Sequence, residues 1–359
     1  MKEIAIAKRF IGGNNPCFVV AEMSGNHNQD FETAVALVYG AKNAGADAVK
    51  LQTYTPATIT LNSKKKWFME RGVDNPDSWK GKSLYELYES AYTPWDWHPK
   101  LQKIAEGLGL IFFSSPFDDT AVDFLESLNV PCYKIAAYEA TDIPLLKKVA
   151  STKKPVIMSV GFSTKDEVAL AVKTLRDNGT KDIVLLHCLT SYSDSPEITD
   201  AHLSTMNDLR ESFGTLIGFS DNNTGIEVAR VASAMGASVI EKHIMLDNQP
   251  AGPDTKFSLG ESEFKKMVEA IREVEKIKGG IVYGPRNKSE KENLRFRRSL
   301  FVTKNIKKGE KFTKENIRSV RPSDGLETKY YEEILGKMAN QDIEEATPLS
   351  WELIEKDSS

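Results

Sequence analysis

Two lysines stand inside strand-like apolar runs, Lys50 in Val-Lys-Leu-Gln-Thr and Lys134 in Tyr-Lys-Ile. An ammonium buried there is costly without an anion beside it. A bound phosphate would supply that anion. Serines at the ends of neighbouring runs (Ser114, Ser115, Ser159, Ser220) add hydroxyl donors, and Gly161 and Gly225 permit close approach of the backbone. Each serine alone reads as a turn or a helix cap, whereas four of them with two lysines read as a phosphate pocket. A Schiff-base nucleophile is the competing use of Lys134. Carboxylates recur at the same level: Glu22, Glu139, Glu241 and Asp254. In a partly dry pocket near lysines they serve either as acid and base or as structural ion-pair partners. His243, in Ile-Glu-Lys-His, adds an imidazole able to bind a metal or polarise a carbonyl.

These groups lie on eight apolar runs: Cys17 to Ala21 then Glu22, Ala48 to Gln52, Leu110 to Phe113, Cys132 to Ile135, Val156 to Met158, Ile183 to Cys188, Leu216 to Phe219 and Val239 to His243. Amphipathic stretches with helical spacing separate them, from Phe31 to Ala44 through Glu261 to Ile277. Alternation of strand and helix predicts a parallel sheet, and eight units predict a (β/α)8 barrel of the TIM type over residues 1–280. An open doubly wound sheet is the alternative, but no Gly-x-Gly-x-x-Gly turn follows the first strand. A barrel points all strand ends to one face, so Glu22 and His243 would share a pocket. The insertion Pro56 to Pro94 carries Trp67, Phe68, Trp79, Tyr85, Tyr88 and Tyr92, which argues for an ordered segment, either a packed subdomain or a cover over the site. Residues 281–298 read as a linker, and 299–359 as a small β-rich domain with Arg321 exposed before Pro322.

Composition limits the function. A hydrophobic fraction of 40%, a charged fraction of 27% and a formal charge of -4 suit a globular protein and exclude a nucleic-acid scaffold. No apolar run approaches the roughly 20 residues that span a bilayer, and the first residues lack an export core, so a cytoplasmic protein without membrane or nucleic-acid partners is expected. Cys17, Cys132 and Cys188 all fall in apolar runs and read as buried free thiols.

Glu22-Met-Ser-Gly-Asn-His-Asn28, Lys50-Leu-Gln-Thr, Phe113-Ser-Ser-Pro-Phe117, Tyr133-Lys-Ile, Ile240-Glu-Lys-His243 and Gly252-Pro-Asp254, in this order, closely resemble the sialic acid synthase family. Ser83-Leu-Tyr-Glu-Leu-Tyr-Glu-Ser-Ala-Tyr-Thr-Pro-Trp-Asp-Trp-His98 is similar to its pseudaminic acid synthase branch, and Arg298 to Ile354 to the family's antifreeze-like (SAF) domain. The resemblance implies condensation of phosphoenolpyruvate with an acetamido sugar, here a 2,4-diacetamido-2,4,6-trideoxyhexose, to a nine-carbon 2-keto acid with release of phosphate. It places Lys50, Ser115, Lys134, Ser159, Thr190 and Ser220 on phosphoenolpyruvate, and Gln52, Tyr192, Asp254 and Arg321 on the sugar. Glu22, Glu139, Glu241 and His243 become the catalytic groups, Arg321 comes from the neighbouring subunit of a domain-swapped homodimer, and a divalent manganese or magnesium ion is implied.

The chain departs from the pattern at three places. The family's Ser-Asp-His, whose histidine binds metal together with the one at His243, reads Ser220-Asp221-Asn222 here, so Asn222 is a weaker oxygen donor in that position. Ala137 and Val160 replace residues with hydroxyls. An impaired homologue that binds sugar or phosphoenolpyruvate without turnover is therefore a second reading, and a synthase for a sialic- or legionaminic-type sugar a third.

Overall fold

The computed structural model describes residues 2–69, 81–189, 198–252 and 254–356. They form two compact units, Met1–Gly279 and Gly280–Ser359. The first opens with a hairpin of β1 (Glu3–Ile6) and β2 (Arg9–Gly12). Eight parallel strands follow: β3 (Phe18–Glu22), β4 (Ala48–Thr53), β5 (Ile111–Pro116), β6 (Tyr133–Ile135), β7 (Val156–Ser159), β8 (Ile183–Cys188), β9 (Leu216–Asp221) and β10 (Val239–Met245). Each pairs with the next, and β10 pairs with both β9 and β3, which closes the barrel. The (β/α)8 expectation holds.

The pleat divides every strand between two environments. Val19, Ala21, Val49, Leu51, Tyr133, Met158, Leu185, Phe219 and Ile240 point outward and pack under the surrounding helices. Phe18, Val20, Ala48, Phe113, Cys132, Ile157, Val184, Leu186, Leu216 and Val239 point inward and fill the amino-terminal part of the barrel, where Ile4, Ile6 and Ile11 of the hairpin join them. Burying each such large side chain contributes roughly 1.5–3 kcal/mol. Filling needs one gap: a Cβ at Gly218 would lie 2.3 Å from the Val239 carbonyl oxygen and 2.6 Å from Leu186 Cδ2.

A polar cluster ties the first strand to the last helix. Asp47 accepts from Arg9 Nη1 (2.5 Å), Arg272 Nη2 (2.7 Å) and Val19 N (2.8 Å), while Glu275 accepts from Cys17 N (2.6 Å). Local signals set the helix starts. Thr164 and Glu167, and likewise Ser83 and Glu86, form reciprocal capping boxes.

The insertion is ordered where it is described, with helices Pro56–Ile59 and Leu84–Ala91 and a 3-10 turn at Lys66–Phe68. It is both a packed subdomain and a neighbour of the strand ends: His27 Nε2 meets Thr93 Oγ1 at 3.0 Å, Trp95 Nε1 donates to Tyr54 O at 3.1 Å, and Tyr88 packs edge-on against Tyr54. Trp79 lies outside the described residues.

In the second unit β11 is not involved; that two-residue strand, Leu259–Gly260, extends the first unit beside β10. Here β12 (Ser299–Val302) and β13 (Ile317–Val320) pair antiparallel over a core of Leu300, Val302, Ile306, Phe312, Ile317, Ile334, Ile343 and Leu349. Residues 281–298, expected as a linker, belong to this unit and carry a helix at Lys288–Glu292, capped by Asn287, and a 3-10 turn at Asn293–Phe296. Arg321 is exposed and is joined to Pro322 by a cis peptide bond. All three cysteines are free and buried, and among the described residues no helix is long and apolar enough to cross a membrane.

Candidate active site

Above the apolar layer the inward positions turn polar. Continuing the alternation upward gives Glu22 on β3, Lys50 and Gln52 on β4, Ser115 on β5, Lys134 on β6, Ser159 on β7, Cys188 on β8, Ser220 on β9, and Glu241 and His243 on β10. Register sets Glu22 beside both Lys50 and His243, and Ser220 beside Cys188 and Glu241.

The centre is a buried set of alternating charges. Lys50 Nζ contacts Glu22 Oε2 and donates to Ser115 Oγ at 3.1 Å. Glu241 Oε1 stands 3.7 Å from Lys50 Nζ and 3.6 Å from Lys134 Nζ, with Ser220 Oγ at 3.5 Å. Lys134 Nζ also donates to Ser159 Oγ at 2.7 Å and Ile135 O at 3.1 Å. Two hydrogen-bond acceptors and the Glu241 carboxylate thus surround that nitrogen. Burial pulls the Lys134 ammonium down, against Glu241, whereas at Lys50 the opposing charges of Glu22 and Glu241 outweigh burial and raise it. Burial raises the Glu22 carboxyl, Lys50 pulls it back, and the like charge of Glu241 adds to the rise.

Glu139 ends a 3-10 turn, Ala137–Glu139, just past β6. Burial pushes its carboxyl up to about 7, with Lys134 opposing, and its Oε2 is buried without a hydrogen-bond partner. A carboxyl raised on folding stabilises the native state below its unfolded value near 4.5, and that contribution is lost as pH rises through about 7. Glu139→Gln is therefore expected to stabilise the protein at pH 8 and to leave it nearly unchanged at pH 4, measured by urea denaturation at both values. Equal effects at the two pH values would contradict this environment.

Around the charged set, Gln52 Nε2 donates to Glu22 Oε1 (3.2 Å) and Ser24 Oγ (3.1 Å). Asp254 Oδ2 accepts from Ser24 Oγ and from Gly25 N at 3.1 Å, so this carboxylate also secures the loop after β3. Burial raises Asp254, and those two hydrogen bonds act against it. His243 Nδ1 is buried without a partner, and its ring meets Phe257 edge-on at 4.9 Å. Burial, then Lys50, Lys242 and Lys134, hold its pKa well below the usual range, so the imidazole is neutral. Asn222 is buried and donates through Nδ2 to Leu189 O at 3.0 Å. Among the described residues no three His, Cys, Asp or Glu side chains form a metal-binding group.

Nine expected residues of the barrel's pocket, Glu22, Lys50, Gln52, Ser115, Lys134, Ser159, Ser220, Glu241 and His243, thus converge at its carboxyl end, with Glu139, Asp254 and Asn222 around them. Arg321 lies in the other unit, and Thr190 and Tyr192 fall outside the described residues. The substitution at Val160 is not a loss from the pocket, because its side chain belongs to the outward cluster beneath the helices. Sequence reasoning missed the fully buried pair Asp221 and Lys242, whose Oδ2 and Nζ are 3.0 Å apart on the outward face of β9 and β10. The signal was present: in Ile-Glu-Lys-His, successive residues must alternate, so Lys242 has to face away from Glu241 and His243.

Comparison with known proteins agrees with this geometry. The profile described as the NeuB family matches residues 37–283, and that of the SAF domain matches residues 297–355. The chain is 43% identical to the pseudaminic acid synthase of Campylobacter jejuni, covering 91% of this chain and 93% of that protein. It is equally 43% identical to the pseudaminic acid synthase of Helicobacter pylori, covering 95% and 98%. Among solved structures, the spore coat polysaccharide biosynthesis protein SpsE of Bacillus subtilis superposes with a TM-score of 0.66 at 31% identity, over 99% of this chain and 100% of that one.

Proposed function

The chain belongs to the NeuB family, and from that premise we propose that it condenses phosphoenolpyruvate with a 2,4-diacetamido-2,4,6-trideoxyhexose, forming a nine-carbon 2-keto acid of the pseudaminic type. Carbon 3 of phosphoenolpyruvate attacks the open-chain aldehyde of the sugar, and one water adds at carbon 2. The tetrahedral intermediate then collapses with cleavage of the carbon–oxygen bond and loss of inorganic phosphate. The observation that carries this reading is Glu241 Oε1 standing within 3.7 Å of both Lys50 and Lys134. Two ammonium groups that close to one carboxylate oxygen, with Ser115 and Ser159 as further partners, make a preorganised cradle for the anionic groups of phosphoenolpyruvate.

Ser220 sits at the same level, and Thr190 is assigned there with it. Gln52, Asp254 and Tyr192 would meet the sugar, and Arg321 of a second copy would bind an acetamido group. Exposed Ile281 (91%) and Tyr283 (94%) beside the second unit's start give such a homodimer an apolar surface to cover. Glu22, Glu139 and Glu241 divide proton transfer between the incoming water and the aldehyde oxygen. The Glu22 and Glu139 carboxyls, raised by burial, are suited to exchanging protons in both directions. Three free thiols suit a reducing cytoplasm.

A divalent cation is also part of this proposal. His243, neutral with an unpartnered buried nitrogen, fits one ligand position, and the amide oxygen of Asn222 fits a second, with substrate and water completing the shell. Manganese or magnesium held there would polarise the aldehyde oxygen.

The test is incubation with phosphoenolpyruvate, a panel of acetamido sugars and manganese or magnesium, reading phosphate release and keto-acid mass. Product from none of the sugars would refute the synthase reading. In the same assay Asn222→His is expected to lower the manganese concentration needed for half-maximal rate by about tenfold or more, since an imidazole is a better donor than an amide oxygen. Activity appearing only in that variant would favour the impaired-homologue reading.

A further inference from the structure

Four aromatic side chains from separate segments border the pocket, and the reaction itself gives them no role. Tyr54 follows β4, is buried, and stands edge-on to Tyr88 at 5.6 Å and to Phe117 at 5.3 Å. Tyr88 comes from the insertion helix Leu84–Ala91. Tyr138 precedes Glu139 in the turn after β6 and tilts against Phe162, beyond β7, at 5.0 Å. Unlike Tyr54, this second pair is open: Tyr138 is 60% exposed and Phe162 56%. Phe162 also lines a cavity of about 660 Å³ with Gly161, His187, Cys188, Leu189 and His202. Cys188 is an inward position of β8 in register with Ser220.

Burial raises the Tyr88 and Tyr138 hydroxyls, and the Glu139 carboxylate near both adds to the rise. Tyr138 precedes Glu139 directly in the turn after β6, and Tyr88 also feels its carboxylate. The inward side chains around Glu241, namely Glu22, Lys50, Ser115, Lys134, Ser159 and Ser220, are charged or hydroxylic and match the phosphate and carboxylate of phosphoenolpyruvate. An exposed aromatic pair at the mouth of such a pocket calls for an apolar partner that reaches it together with polar groups.

We propose that Tyr54, Tyr88, Tyr138 and Phe162 form the wall that selects the sugar, receiving the methyl groups of a deoxy, diacetamido substrate in preference to a hydroxylated hexosamine. The proposal rests on the synthase reading above. A trideoxyhexose ends in a methyl where an ordinary hexosamine ends in a hydroxymethyl, and its second acetamido group carries another methyl in place of a hydroxyl. Hydroxyls set against these rings would lose water without gaining a partner. Walls of this kind discriminate modestly, by about 10–200-fold for each such group.

The full chain is assayed with phosphoenolpyruvate and manganese on two sugars, the 2,4-diacetamido-2,4,6-trideoxyhexose and N-acetylmannosamine, whose carbons 4 and 6 carry hydroxyls. Tyr138→Ala and Phe162→Ala should each lower kcat/KM for the trideoxy sugar about tenfold through KM for that sugar. They should leave KM for phosphoenolpyruvate unchanged and narrow the ratio between the two sugars. Tyr138→Phe keeps the ring and should retain the selectivity. Losses equal for both sugars, a shifted KM for phosphoenolpyruvate, or unchanged kinetics would overturn the proposal. A wild-type chain that uses no acetamido sugar of the panel would remove the synthase reading and the wall with it, one that uses only sugars other than the trideoxy sugar would overturn the wall, and an active wild type with unselective variants removes the wall alone.

Discussion

Lys50→Met is expected to lower folding stability by about 3–5 kcal/mol at pH 8 and to reduce kcat/KM for phosphoenolpyruvate by at least about 10³-fold. Lys50 is buried, and its nitrogen is shared between Glu22 and Glu241. Removing it leaves two carboxylates inside the barrel with Lys134 as the remaining cation near Glu241. Methionine has a similar length and packs without strain, so the loss is one of charge rather than volume. The stability cost should shrink at pH 5.5, because burial already raises the Glu22 carboxyl and the absent ammonium can only raise it further. Urea denaturation at the two pH values, with phosphate release as the activity readout, checks both parts. A variant as stable as the parent at pH 8 would mean that the charges do not act as a network.

The second large effect lies behind the pocket. Lys242→Met should cost a similar 3–5 kcal/mol, since it strands a buried carboxylate at Asp221. Lys242 Nζ also donates to Asn223 O, while Asp221 Oδ1 accepts from Asn223 N at 2.9 Å and Nδ2 at 2.8 Å. The pair thus fixes the turn in which Asn222 sits. Replacing both members, Lys242→Met with Asp221→Leu, is expected to restore most of the stability, because apolar residues of similar volume tolerate the site better than a lone charge. Turnover should stay depressed in the double variant, since the turn has lost its hydrogen bonds. A double-mutant cycle on stability and on kcat separates the two. Recovery of both quantities together would show that the pair only fills space.

Much of this architecture was legible from the chain because its strongest signals are local and periodic. Each of the eight runs became a strand within three residues of the expected ends, and parallel closure then forced Glu22 and His243 into register. What escaped depended on partners far away in sequence or on which way a side chain faces. Asp47 meets Arg272 across 225 positions, and no periodicity announces that. Val160 was read as a missing pocket hydroxyl although it packs outward, under the helices. Lys242 carried a charge in the same run as Glu241 and His243, and only the alternation of the pleat separates a residue that handles substrate from one that braces the wall. Residues 281–298 read as a linker by composition, yet their Asn287 cap starts a short helix.

The amino-terminal hairpin has a kinetic consequence. With Ile4, Ile6 and Ile11 packed among the inward side chains of the strands, the barrel is a blind well with a single mouth. Lys50 lies one inward position below Gln52 on the same strand, so the anion seat is deeper than the sugar contacts. If phosphoenolpyruvate occupies that deeper seat as proposed, it is expected to enter first and the sugar second. On the same assignment the released phosphate, lying beneath the long keto acid, is expected to depart last.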